Sequence, residues 1–115
     1  MQNIGIDLVE LEEIKKIGID KIVNRILSHQ ENLIYQKINH LTRKISFLAG
    51  RWAAKEAIFK AYRKGNYQNN YSDWSILNDE VYGFPYVVHS FLTCTIMISI
   101  SHSQNYALAF VILIE

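Results

Sequence analysis

The chain has 115 residues, of which 50% are hydrophobic and 20% charged, with a formal net charge of +1. That is the length of one domain with ample apolar material for a core; the balance excludes a disordered chain and gives no general argument for nucleic acid. The single cysteine, Cys94, excludes an intrachain disulfide and suits a reducing compartment; its threonine-flanked setting reads as a structural thiol. The first residues lack the basic-then-apolar pattern of a secretory leader. The longest apolar run, Tyr106 to Ile114, is too short to cross a bilayer as a helix. The expectation is one soluble cytoplasmic domain over residues 1–115, not associated with membrane or nucleic acid. Its wealth of Ile, Tyr and Phe hints at apolar surface covered by a second copy.

Ile4 to Glu10 alternates, with Ile4, Ile6 and Leu8 on one face and Gly5, Asp7 and Val9 on the other, which predicts a strand. Asp7 is unusual there, since Asp is depleted in strand interiors. It is either an edge residue facing water or a carboxylate aimed into a site. Leu11 to Ile17 predicts a short amphipathic helix stopped by Gly18, and Asp20 can cap a second one through Leu27. Ser28 and Glu31 have capping-box spacing, so a third helix should run to about Ile38 with Leu33, Ile34 and Ile38 inward. His29 and His40 read as solvated.

The central stretch, Phe47 to Lys64, predicts a long helix that starts at Thr42 or Ser46 and stops at Gly65. Phe47, Ala53, Ala54, Ala57, Ile58, Ala61 and Tyr62 share one side, while Leu48, Trp52 and Phe59 form a second apolar strip. Two polar edges remain, Arg51 with Lys55 and Glu56 with Lys60. Charges on so apolar a helix need partners, because an unpaired buried charge is costly. Glu56 and Lys60 are four apart in the favourable order and can pair with each other; the alternative is that the charges face a ligand.

Asn66 to Ser72 is polar and reads as a loop, after which the pattern turns to strands: Trp74 to Leu77, Tyr86 to Phe91, Thr95 to Ser101 and Tyr106 to Ile114. The last two are spaced as a hairpin. The fold class is therefore α+β, an antiparallel sheet packed with a long central helix and several shorter helices.

Three segments set polar groups in apolar surroundings: Asp7 in GIDLVE, the charges of GRWAAKEAIFKA, and His102 in SISHS. Asp7 and Glu56 are carboxylates on different elements, and Mg²⁺ is commonly held by one or two carboxylates with substrate phosphates and water. Arg51, Lys55 and Lys60 offer positive charge for such phosphates. His102 by itself reads as a turn residue bonded to Ser101 or Ser103. No glycine-rich phosphate loop, zinc spacing or serine elbow accompanies them.

Taken together and in order, Gly5-Ile6-Asp7-Leu8-Val9-Glu10, Phe47-Leu48-Ala49-Gly50-Arg51-Trp52-Ala53-Ala54-Lys55-Glu56-Ala57 with Lys60-Ala61, and Ser99-Ile100-Ser101-His102-Ser103 resemble the holo-acyl-carrier-protein synthases, bacterial 4′-phosphopantetheinyl transferases. The resemblance spans nearly the whole chain and takes in Gly83, Pro85 and the capping box. It implies transfer of the phosphopantetheine arm of coenzyme A to a serine of acyl carrier protein, in fatty acid and lipid biosynthesis. By match of position, Asp7 and Glu56 would be Mg²⁺ ligands and, with Lys60, the catalytic residues. Lys60, Arg51 and His102 would bind coenzyme A, and Glu56 or a metal-held water would take the serine proton. A homotrimer with sites at subunit boundaries is implied as well. The chain departs from the pattern at Glu12 and Glu13, where basic residues often meet the carrier. It also departs in the loop after Lys60 and in the short stretch from His89 to Thr95. These departures leave a non-catalytic coenzyme A or nucleotide binder on the same scaffold as the alternative.

Overall fold

The computed structural model describes residues 2–63 and 70–115. The opening alternation forms β1 (Gln2–Glu10), which leads directly into α1 (Leu11–Ile17) and α2 (Ile19–Ile26). Gly18 separates the two helices and itself occupies the N-cap of α2; Asp20 lies inside the first turn and makes no side-chain cap, contrary to expectation. The capping box is formed: Ser28 accepts from the Glu31 N–H, and Glu31 accepts from the Ser28 N–H. It starts α3 (His29–Gln36).

The expected inward face of α3 is corrected. Glu31 and Tyr35 are buried, whereas Leu33 and Ile34 are 50% and 40% exposed. Hydropathy alone favoured the leucine and isoleucine; the buried bonds of Glu31 chose the other face.

Helix α4 (Leu41–Tyr62) is longer at its start than predicted. His40 is its N-cap without a side-chain bond, and Thr42 and Ser46 lie within the helix. Burial of Ile45 and Leu48 carries the helix past those candidate caps, since packing outweighs local preference. It ends at Arg63, whose φ of 60° is left-handed. The predicted stop at Gly65 and most of the polar loop lie outside the described residues. A short 3-10 turn, Tyr71–Asp73, follows.

The remaining strands are β2 (Ser75–Asn78), β3 (Pro85–Val88), β4 (Thr95–His102) and β5 (Tyr106–Ile114). They divide between two sheets, an antiparallel three-stranded one in the order β1-β5-β4 and a β2-β3 hairpin. The β4-β5 pair is the predicted hairpin, closed by the Ser103 N–H donating to the Tyr106 carbonyl.

Helix α4 lies across the inner face of the large sheet. Small residues make that approach possible: Ala107 and Ala109 of β5 and Ala53, Ala54, Ala57 and Ala61 of α4 are all fully buried. At Gly5 the contact is backbone to backbone, because a Cβ there would stand 1.9 Å from the Ala57 carbonyl oxygen. The outer face carries Ile4, Ile6 and Leu8, each more than half exposed, beside Tyr106, Leu108, Phe110 and Met97.

Candidate active site

The close crossing at Gly5 sets Asp7, two residues along β1, against the flank of α4. Lys60 Nζ donates to Asp7 Oδ1 at 2.9 Å and to the Ile6 carbonyl at 3.0 Å. Asp7 is the more enclosed partner, 17% exposed against 56% for the lysine side chain. The anticipated Glu56–Lys60 pair is therefore not formed. Lys60 reaches the strand instead, and Glu56, one helical turn earlier, accepts a hydrogen bond from the Tyr71 hydroxyl. Burial and then the Glu56 carboxylate push the Tyr71 phenol up to about 12.

Asp7, Glu56 and Lys60 thus belong to one flank of α4, the lysine bonded to the strand carboxylate and the glutamate one turn along the same helix. Among the described residues, Asp7 Oδ2 and Glu56 Oε2 take no hydrogen bond, and no three His, Cys, Asp or Glu side chains cluster as a complete metal cage. This donor set fits a hard divalent cation that draws its other ligands from phosphate and water. It does not fit a closed zinc-type site.

Arg51 and His102 belong to the other flank. At about 100° and 1.5 Å per residue, Arg51 and Lys60 are half a turn out of phase and about 13 Å apart along the axis. Arg51 is 5% exposed. Its Nε donates to the Ile76 carbonyl at 3.2 Å, its Nη2 to Asn78 Oδ1 at 2.5 Å, and its guanidinium lies 4.1 Å from the Phe47 ring centroid. Burial pulls its pKa down, and Glu31 partly restores it.

His102, at the end of β4, rests on Gly50. A Cβ at that glycine would come within 2.7 Å of the imidazole Nε2, so only glycine leaves the ring its place. The imidazole bonds to the Ser46 backbone rather than to Ser101 or Ser103. Desolvation, against the pull of that bond and aided by the Arg51 charge, holds its pKa below the usual imidazole value. An open depression of about 240 Å³ lies beside it on the outer sheet face, between the Ser101–Ser103 end of β4 and Leu8, Tyr106 and Leu108.

Lys55 leaves its predicted edge with Arg51 for the interior. It is fully buried, and its three ammonium protons meet three acceptors: Glu31 Oε1 and the Ile26 carbonyl at 2.5 Å, and the Tyr71 carbonyl at 2.9 Å. Glu31 is equally buried and also takes the N–H groups of Ser28 and Ile76. Desolvation lowers the Lys55 pKa, with the Glu31 charge opposing it. The sequence signalled that Lys55 needed a partner and that Glu31 closed a capping box, but nothing linked two residues 24 positions apart. Tyr71, within a polar run, carried no signal at all.

Residues 3–111 match the sequence model of the 4′-phosphopantetheinyl transferase superfamily. The chain is 53% identical to a holo-acyl-carrier-protein synthase of onion yellows phytoplasma, over 97% of this chain and 93% of that one. It is 51% identical to the enzyme of the same description from Acholeplasma laidlawii, over 96% and 93%. Among solved structures, it superposes with a TM-score of 0.88 and 37% identity on a Bacillus anthracis holo-acyl-carrier-protein synthase in complex with CoA (3′,5′-ADP), covering 98% of this chain and 96% of that one. The chain therefore belongs to the holo-acyl-carrier-protein synthases, enzymes of the 4′-phosphopantetheinyl transferase superfamily.

Proposed function

We propose that this chain transfers the 4′-phosphopantetheine arm of coenzyme A to a serine of acyl carrier protein, with Mg²⁺ bound at Asp7 and Glu56. The observation that carries the reading is the flank of α4 that joins a strand carboxylate, a helix carboxylate and a reachable ammonium. When bound, the cation would neutralise pyrophosphate charge and so favour displacement at phosphorus. The serine Oγ–P bond forms, the P–O bond to the nucleotide side breaks, and adenosine 3′,5′-bisphosphate leaves with the bridging oxygen. The serine proton passes to Glu56 or to water. Lys60, largely exposed, is free to turn from Asp7 towards the phosphates, whereas Arg51 and His102 supply positive charge and a hydrogen bond for the nucleotide end.

These two groups of residues face away from each other on one α4, so a site using both draws them from adjacent subunits. The outer face of the large sheet is suited to that contact. Ile6 pairs with Phe110 and Leu8 with Leu108 across β1 and β5, and these four apolar side chains are all exposed. Monomeric proteins rarely leave so continuous an apolar face in water. A homotrimer that buries this face, working in the cytoplasm in fatty acid biosynthesis, is the assembly we assign.

The test is mass spectrometry of an apo carrier protein incubated with this protein, coenzyme A and Mg²⁺. A gain of one phosphopantetheine mass is expected, lost on chelation and in Asp7→Asn. Nucleotide binding without any carrier modification would instead favour a non-catalytic coenzyme A binder.

A further inference from the structure

Tyr71 is tied at both ends. Its hydroxyl donates to Glu56, and its carbonyl accepts from the fully buried Lys55 ammonium at 2.9 Å and from the Trp74 N–H at 3.1 Å. Its ring packs against Phe59 with centroids 5.3 Å apart, and the Trp52 indole lies against the same hydroxyl. Lys55 in turn is fixed by Glu31, which is fixed by the α3 cap and by β2 through the Ile76 N–H. A continuous set of satisfied bonds therefore runs from a buried ion pair to one oxygen of Glu56. Such an arrangement costs a protein two desolvated charges, and replacing the pair with apolar residues would hold the core as well. What an apolar replacement would not supply is a fixed hydroxyl aimed at a carboxylate on the exposed side of α4.

We propose that Tyr71 is a positioning residue for Glu56: its hydroxyl occupies Oε1 and leaves Oε2 presented to a divalent cation, with the Glu31–Lys55 pair holding Tyr71 in place. The inference rests on the reading of Glu56 as a metal ligand given above. It concerns Tyr71 alone, since the rest of that reading stands without it. Partners that orient a metal ligand change metal affinity by about 10- to 100-fold when removed.

The experiment is direct titration of the purified protein with Mn²⁺, read by electron paramagnetic resonance at saturating coenzyme A. Tyr71→Phe keeps the ring against Phe59 and deletes only the hydroxyl. Its Mn²⁺ affinity should fall about tenfold, and the Mg²⁺ needed for half-maximal transfer should rise by the same factor. Affinity for coenzyme A without metal should stay as in the parent protein. Tyr71→Leu, which lacks the hydroxyl too, must show at least the same loss, so the result does not depend on one variant folding well. In a Glu56→Gln background, Tyr71→Phe should have no further effect on Mn²⁺. Unchanged or tighter Mn²⁺ binding in Tyr71→Phe, with Glu56→Gln strongly impaired, overturns the role of Tyr71 and leaves the metal site standing. Unchanged Mn²⁺ binding in Glu56→Gln overturns both.

Discussion

Gly5→Ala adds one methyl group at the point where β1 meets α4. The new Cβ would stand 1.9 Å from the Ala57 carbonyl oxygen, 2.9 Å from the Ala57 carbonyl carbon and 3.0 Å from the Ala61 nitrogen. All three are backbone atoms of a helix whose facing residues are fully buried, so no side chain can rotate to make room. The strand and helix must part by about 1 Å before the contact is even tight, and overpacking of this kind costs about 3 kcal/mol. For a chain of this size that lowers Tm by about 10 °C. The displacement also carries Asp7 away from Lys60 and Glu56, and a 1 Å misplacement costs about 100-fold in rate. Thermal melting followed by circular dichroism, with kcat/KM for carrier modification, reads both effects. A Tm within about 2 °C of the parent protein, with full activity, would refute the claim that this crossing positions the site.

Gly50→Ala is a contrasting case, because the atom it meets is the tip of the His102 ring, which can move. Alanine is favoured over glycine within a helix by about 1 kcal/mol, so Tm should hold or rise while calorimetric affinity for adenosine 3′,5′-bisphosphate falls. Glu31→Gln or Lys55→Met each leaves a buried charge without its partner and should cost about 3–5 kcal/mol in urea unfolding, whereas the double variant should recover much of that loss. His102 has a folded-state pKa below its unfolded value, so the unfolded chain takes up the proton first as pH falls. The histidine therefore costs stability progressively from about pH 6.5 down to its folded pKa and no more below it, a trend that His102→Gln should remove from the pH dependence of Tm. In the proposed function, a phosphate bound beside the ring would favour the imidazolium. Nucleotide binding should therefore be accompanied by proton uptake below neutral pH, seen as a buffer-dependent enthalpy.

Much of the fold was legible because its signals are local. The alternation of β1, the capping box at Ser28, the β4-β5 hairpin and the long apolar helix each depend on residues within a few positions of one another. Where tertiary contacts compete with local preference, they override it. The inward face of α3 was set by bonds to Glu31, not by Leu33 and Ile34, and α4 began before its best caps because Ile45 and Leu48 had a core to enter.

The same division holds at the site. The ordered segments around Asp7, Glu56, Lys60, Arg51 and His102 identified the family from the chain alone, since a long match in order and spacing needs no coordinates. Pairing is another matter: helical spacing alone matches Glu56 with Lys60, yet the lysine bonds Asp7 and the glutamate takes Tyr71. Composition and spacing determined which residue types the chain carries and which face of an element each can occupy. Only the tertiary structure decided which charges meet, because buried ions choose partners by the bonds available in three dimensions, and sequence separation does not record those.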